Sequence, residues 1–204
     1  MSAKLEQEVK FHIRDLAALE KRLEALGASL KQARTFERNL RFDTPNRELS
    51  SSFQVLRLRQ DEICRLTYKG PSDPDREVSA RRELEVEVSD PETARGILEA
   101  LGYEVVVVYE KYRAACMLDE VEISLDEMPF GSFAEVEGPD IESIRSTAEN
   151  LGFNWEARSK LSYLAIFNSL KENLDLKMRD LTFANFIDIQ ISEDDLDLTS
   201  ADQK

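Results

Sequence analysis

Histidine and cysteine are nearly missing from this chain: His12 is the one histidine, and Cys64 and Cys116 are the only cysteines, in 204 residues. No zinc-type ligand set can be drawn from them, and their spacing matches no metal motif. Each cysteine sits in a run of alternating apolar residues, which reads as a reduced core thiol of a cytosolic protein. Long apolar runs are absent too. Nothing approaches a membrane span, and the opening MSAKLEQEVK lacks the apolar stretch of a leader. A soluble, cytoplasmic protein is expected. Positive charge is scarce: 27 Lys and Arg stand against 41 Asp and Glu, a net charge of −14. Nucleic acid and anionic lipid would both be repelled, so neither is expected as a partner, although a local basic pocket remains compatible with the total. The Gly- and Pro-bearing GPSDPDRE stretch reads as a polar turn, not as a phosphate-cradling loop.

What is present is alternation. FQVLRLRQ, ICRLTYKG, RRELEVEVSD, EVVVVYEKYRAACML, DEVEISLDEM and SFAEVEG alternate or are rich in β-branched and aromatic residues, as strands are. EQEVKF puts Glu6, Glu8 and Lys10 on one face and Val9 and Phe11 on the other. Helices are legible as well. RDLAALEKRLEALG carries a leucine stripe and stops at Gly27, while DPETARGILEALG opens on an Asp cap with Pro91 in the first turn and stops at Gly102.

These segments repeat. ELEVEVSDPETARGILEALGY and FAEVEGPDIESIRSTAENLGF align without gaps, Glu85 and Glu87 on Glu135 and Glu137, Asp90 on Asp140 and Gly102 on Gly152. The opening segment follows the same plan with about one extra helical turn. A strand bearing an E-x-E pair, followed by a helix, therefore occurs three times. Basic residues alternate on other strands: Arg57 and Arg59, Arg65 and Lys69, Lys111 and Arg113.

Two architectures accommodate strands with one apolar and one charged face. An open antiparallel sheet would have helices on one side and its charges in water. A sheet curled shut would turn the charges inward. Clustering of acids with acids and bases with bases favours the second, because neighbouring carboxylates repel and a cation relieves them. Oxygen ligands select hard ions such as Mg²⁺ or Mn²⁺, and paired Arg and Lys suit phosphate oxygens.

With these residues in view, the chain resembles the CYTH superfamily of triphosphate tunnel metalloenzymes, which includes class IV adenylate cyclases and thiamine triphosphatases. The motifs fall in family order: ExExK in EQEVKF, then RLR, YKG, ELEVEV, EKYR, LDEMPFGSFAEVEG and a Lys/Ser-Tyr helix in SKLSYLAIF. The resemblance implies an α+β fold, an eight-stranded antiparallel closed β-barrel or tunnel with a charged interior and helices outside. The tunnel domain would span residues 1–170, with 171–204 forming the end of a helix and an acidic, partly disordered tail.

Residue by residue, the resemblance implies metal binding by Glu6, Glu8, Glu135 and Glu137, supported by Glu85, Glu87 and Asp126. Lys10, Arg57, Arg59, Lys69, Lys111 and Arg113 would hold triphosphate oxygens, with Glu6, Glu8 and Lys10 as the catalytic group. A basic residue near Ser162-Tyr163 completes the ring. Both Arg158 and Lys160 lie there, and Lys160 is the one assigned. Arg81 shares strand parity with Glu85, whereas Arg82 reads as surface. His12 reads as an edge residue, Trp155 as a cap on the core, and Phe130 and Phe133 as hairpin packing.

The expected activity is hydrolysis of a small-molecule triphosphate (inorganic, thiamine or nucleoside) with Mg²⁺ or Mn²⁺, in a protein that leaves room for a homodimer. A class IV adenylate cyclase would use the same triphosphate machinery. ERNLRFDTP lacks the Asp-Thr-Tyr-Phe run associated with bacterial cyclases of that class, which favours the hydrolase. A non-catalytic polyphosphate-binding module is a third reading, disfavoured because binding an anion requires no repeated E-x-E pairs.

Overall fold

The computed structural model describes residues 4–71 and 78–202, so most of the GPSDPDRE turn and the first three residues lie outside the described residues. In chain order the elements are β1 (Lys4–Ile13), α1 (Leu16–Ala25), β2 (Ser29–Asp43), α2 (Glu48–Ser51), β3 (Val55–Gln60), β4 (Arg65–Lys69), β5 (Ser79–Glu87), α3 (Pro91–Ala100), β6 (Glu104–Leu118), β7 (Val121–Met128), β8 (Gly131–Glu137), α4 (Ile141–Asn150), β9 (Arg158–Ser159) and α5 (Tyr163–Asn173).

Eight of the strands form one antiparallel ring. Its order is β5-β4-β3-β2-β6-β7-β8-β1, and β1 pairs back onto β5 to close it. The closing register sets Glu6 opposite Arg81 and Glu8 opposite Ser79. On its other edge β1 pairs with β8, Glu8 facing Glu137 and Lys10 facing Glu135. Because side chains alternate, this register fixes which residues see the interior. Val9, Phe11 and Ile13 point outward into the core and are 1%, 0% and 1% exposed.

The hydrophobic cores therefore lie outside the ring, between sheet and helices. α1 and α4 cover β1, β7 and β8 through Leu19, Leu23, Ile144 and Ala148, while α3 covers Leu40, Phe42 and Leu58 with Leu98. The threefold repeat survives as geometry. Asp15, Asp90 and Asp140 each accept a hydrogen bond from a first-turn amide of α1, α3 or α4. Each of these helices is followed by a glycine at positive φ: Gly27 (79°), Gly102 (91°) and Gly152 (73°).

Two parts of the chain differ from expectation. β2, at 15 residues one of the two longest strands, alternates only in its second half, where Phe36, Leu40 and Phe42 interleave with Glu37, Asn39 and Arg41; its first half is largely exposed. The tail is the second correction: beyond α5 the chain packs against the ring as far as Asp202 instead of being partly disordered. β7 pairs with β6 only from Tyr112 onward, which leaves the preceding edge of β6 open. Leu181 fills it, donating its N–H to Val108 O and accepting from Glu110 N, both at 2.9 Å. Asp180 accepts from Val108 N at 2.9 Å. Leu181, Phe186 and Leu196 bury themselves with Phe167 and Leu170 of α5. At the far end Ala201 N bonds His12 O, and Asp202 accepts from Arg14 N and Asp15 N. The acids that suggested disorder thus satisfy backbone donors, and the apolar residues between them are the anchors. β9 acts similarly, pairing with Lys10 and Phe11 of β1 just past the point where β5 leaves that edge.

Candidate functional site

The ring encloses a cavity of about 510 Å³ lined by side chains from every strand of the ring and by the approach to α5. Its charged lining comprises ten Lys or Arg and seven Glu. In a protein whose total is −14 this excess of bases is local, and it follows from strand parity. Among the predicted residues, Glu6, Glu8, Lys10, Arg57, Arg59, Lys69, Glu85, Lys111, Arg113, Glu135, Glu137 and Lys160 all line it.

The bases and acids are interleaved. Lys10 bridges Glu8 at 2.6 Å and Glu135 at 3.0 Å. Lys69 bridges Glu6 at 2.6 Å and Glu83 at 3.3 Å. Arg113 joins Glu135 to Asp126. These pairings set the protonation of each group. Burial alone would raise Glu8 and Glu135, but Lys10 outweighs it at Glu8, and Arg113 with Lys10 and Lys111 holds Glu135 well below the carboxylate range. Glu6 goes the other way. Burial and the neighbouring Glu8 charge lift it to about 7 against the pull of Lys69.

Two predicted ligands are not brought to the cavity. Asp126 is fully buried behind the wall, where Lys111 (3.0 Å), Arg113 and the Tyr163 hydroxyl (2.7 Å) occupy its carboxylate. It orients bases instead of facing a ligand. Glu87 is exposed at the end of β5, opposite Arg65, beyond the stretch that pairs with β1. The inward pair on β5 is Glu83 and Glu85, one step earlier than the repeat alignment indicates. Glu83 was missed although it has the same parity.

Other lining residues also escaped sequence reading: Arg41, Tyr109, Glu122 and Ser124. Glu37, fully buried in the basic wall, was missed too. It lies 3.7 Å from Lys111 and 3.8 Å from Arg59, and these cations with Arg113 and Arg57 overcome burial to hold it at about 2. The open choice near α5 is resolved, since Lys160 lines the cavity and Arg158 stacks on Trp155 at 4.7 Å. Arg81 faces inward and Arg82 is exposed. His12 is 7% exposed, edge-on to Phe133 and beneath the tail, and Trp155, Phe130 and Phe133 belong to the cores.

The donor chemistry suits a hard divalent ion, because the acidic lining is all glutamate oxygen and Glu6 bears the mark of crowded carboxylates. Among the described residues no group of three or more His, Cys, Asp or Glu side chains is drawn together as a metal shell; lysines and an arginine hold the carboxylates apart.

An antiparallel sheet closed on itself, apolar outside and ionic within, with helices packed around it, defines an α+β tunnel protein. The CYTH domain family model matches residues 4–165, and the chain belongs to that family. A protein of Methanocaldococcus jannaschii named as a putative adenylate cyclase is 30% identical over 135 residues, covering 65% of this chain and 76% of that one. A solved structure from Vibrio parahaemolyticus, also named a putative adenylate cyclase, superposes with a TM-score of 0.73 at 24% identity, over 82% of this chain and 99% of the other. A Hippeastrum putative adenylyl cyclase, described as having a dominant triphosphatase activity, gives 0.61 at 24% identity, over 80% and 95%. Among the described residues no helix is long and apolar enough to cross a membrane.

Proposed function

We propose that the protein is a phosphohydrolase that binds a triphosphate in the tunnel and releases phosphate with Mg²⁺ or Mn²⁺. The observation that carries this reading is a cavity inside the closed ring whose lining interleaves ten bases with seven glutamates. The names of the family relatives support it, since adenylate cyclases and triphosphatases both act on triphosphates.

Glu6, Glu8, Glu135 and Glu137 would hold the ion. When bound, it supplies Lewis-acid polarisation of phosphoryl oxygens. Lys10, Arg57, Arg59, Lys69, Lys111, Arg113 and Lys160 bind and orient the substrate oxygens and neutralise charge as the leaving oxygen departs. Asp126 and Tyr163 hold Lys111 and Arg113 in place. The enclosing ring limits water around these charges, which strengthens each interaction. Loss of one guanidinium from the ring, as in Arg59→Ala, should lower kcat/KM by roughly 2–4 kcal/mol of transition-state stabilisation. Unimpaired turnover of that variant would remove Arg59 from the assignment.

Class IV adenylate cyclase is the second reading, favoured by the name of the 30%-identical relative. Purified protein with Mg²⁺ or Mn²⁺, supplied separately with inorganic triphosphate, thiamine triphosphate and ATP, separates the two. Phosphate release identifies the hydrolase. Pyrophosphate with cyclic AMP from ATP identifies the cyclase. Binding without any product leaves a polyphosphate-binding module.

A further inference from the structure

The residues matched by the family model end at 165, and the tail beyond them builds a feature of its own. Where Asp180 and Leu181 dock on β6, the tail and α3 flank the outward face of β2 and β6 around a second cavity of about 400 Å³. Its floor is apolar. Leu40 and Val108, paired across β2 and β6, are 5% and 8% exposed, and Tyr103 lines the same space. Three arginines converge on it from separate segments: Arg38 from β2, Arg95 from α3 and Arg179 from the tail. None of them lines the cavity inside the ring.

The three are not equivalent. Arg95 is held by Glu99 at 2.7 Å and Arg179 by Asp180 at 2.8 Å. Both arginines are well exposed, and pairs of that kind are worth little and exchange readily for a better acceptor. Among the described residues the Arg38 guanidinium has no ion pair and no hydrogen bond. Glu110 stands opposite it in the register, but that carboxylate accepts from the amide of Phe183 at 3.1 Å. The charge of Arg38 reaches Asp180 without pairing to it. The glutamates of the lining are occupied as well, Glu99 by Arg95 and Glu104 by Arg47 at 2.6 Å. In a chain of net charge −14, an apolar floor thus carries at its rim a guanidinium with open donors.

Such a fork suits a carboxylate or a phosphate. The floor suits an apolar body, flat where it meets the Tyr103 ring, and a space of this size accommodates a small organic molecule. We propose that this groove is a second ligand site, outside the ring, for a small organic anion that joins a ring-sized apolar body to one carboxylate or phosphate. The body lies on Leu40 and Val108, and the anionic group takes the Arg38 fork, with Arg179 turning from Asp180 to join it. A ligand bridging β2 and Arg179 fastens the tail to the sheet. The site stands whether or not the ring turns over a triphosphate.

Titration calorimetry with 1-naphthoate and 1-naphthyl phosphate tests this, with 1-naphthol and acetate as probes that lack the charge or the body. Both anions should bind, and each control should bind about tenfold more weakly. Arg38→Gln and Arg179→Gln should each weaken the anions about tenfold, the worth of one hydrogen bond to a charged group. Tighter binding of one anion identifies the head group that the groove takes. Arg59→Ala, inside the ring, and Lys177→Gln, exposed on the tail, should bind as the unmodified protein does. In hydrogen exchange, naphthoate should slow the amide of Val108, which donates to Asp180. Arg38 and Arg179 are exposed, so their variants should fold, and urea unfolding checks that they do. Absence of binding by both anions, or naphthol binding as tightly as they do, overturns the site. So does binding that Arg59→Ala loses and Arg38→Gln keeps.

Discussion

Glu6 and Glu37 are both buried carboxylates, yet their neighbours push them in opposite directions. Glu6 shares its wall with Glu8 and is lifted to about 7, so the folded protein holds a proton there that the unfolded chain releases near 4.5. Its contribution to stability is present below pH 4.5 and is lost as pH rises through 7. Glu6→Gln should remove that loss: relative to the unmodified protein, the variant gains stability between pH 5 and 7.5 in urea unfolding. Glu37 sits among four cations and is held at about 2, so its contribution is present above pH 4.5 and is lost as pH falls toward 2. Glu37→Gln leaves those cations without their central counter-charge and should destabilise the fold at pH 7 by about 3 kcal/mol, read from the same measurement. Only Glu6 was legible as a site residue. It belongs to an E-x-E pair, whereas Glu37 in ARTFERNLRFD has no acid two residues to either side, and nothing local distinguishes it from a solvated one.

Elements were legible where one face is apolar. The three strand–helix units were readable because each leucine stripe, aspartate cap and terminal glycine agrees with the others, and the parity of β1, β3, β4, β6 and β8 placed ten predicted residues around the cavity. β2 was illegible because half of it has no core to face: Lys31 and Arg34 reach across to Glu122 and Glu127 in place of apolar packing. Glu87 was misplaced because a gapless alignment keeps register but cannot show where a neighbouring strand ends. The tail was illegible for a third reason. An extended segment that adds to an existing edge needs no periodicity of its own. Its anchors are single side chains, so Leu181→Ala should cost roughly 2–5 kcal/mol by equilibrium unfolding. Its far end rests on His12, whose imidazole burial holds below the ordinary value against Glu193 and Asp202, with Arg14 acting in the same direction as burial. A depressed folded value means stability present above about pH 6.5 and lost as pH falls. The amide of Ala201, bonded to His12 O, should therefore lose hydrogen-exchange protection between pH 7.5 and 5.5, once intrinsic rates are corrected. His12→Gln should abolish that dependence.

For the molecule as a whole, closing the sheet inverts the usual arrangement, with ionic groups inside the ring and apolar groups outside it under helices. The inside is then held together partly by attraction between opposite charges and partly set against itself by like ones. A multivalent anion bound there should stabilise the whole ring. Inorganic triphosphate at a hundred times its dissociation constant should add about 2.7 kcal/mol to unfolding, and Arg59→Ala should receive less at the same concentration. The ring also has a consequence for how the chain is made. β1 is made before every strand it pairs with: β5, β8, β9 and, through His12, the bridge to Ser200. Val9, Phe11 and Ile13 meet Leu19 and Leu23 of α1 early, but complete their core only when the much later β7, β8 and α4 have been made. Synthesis thus holds this strand in suspense, and it is the segment that a nascent-chain chaperone would have to shield.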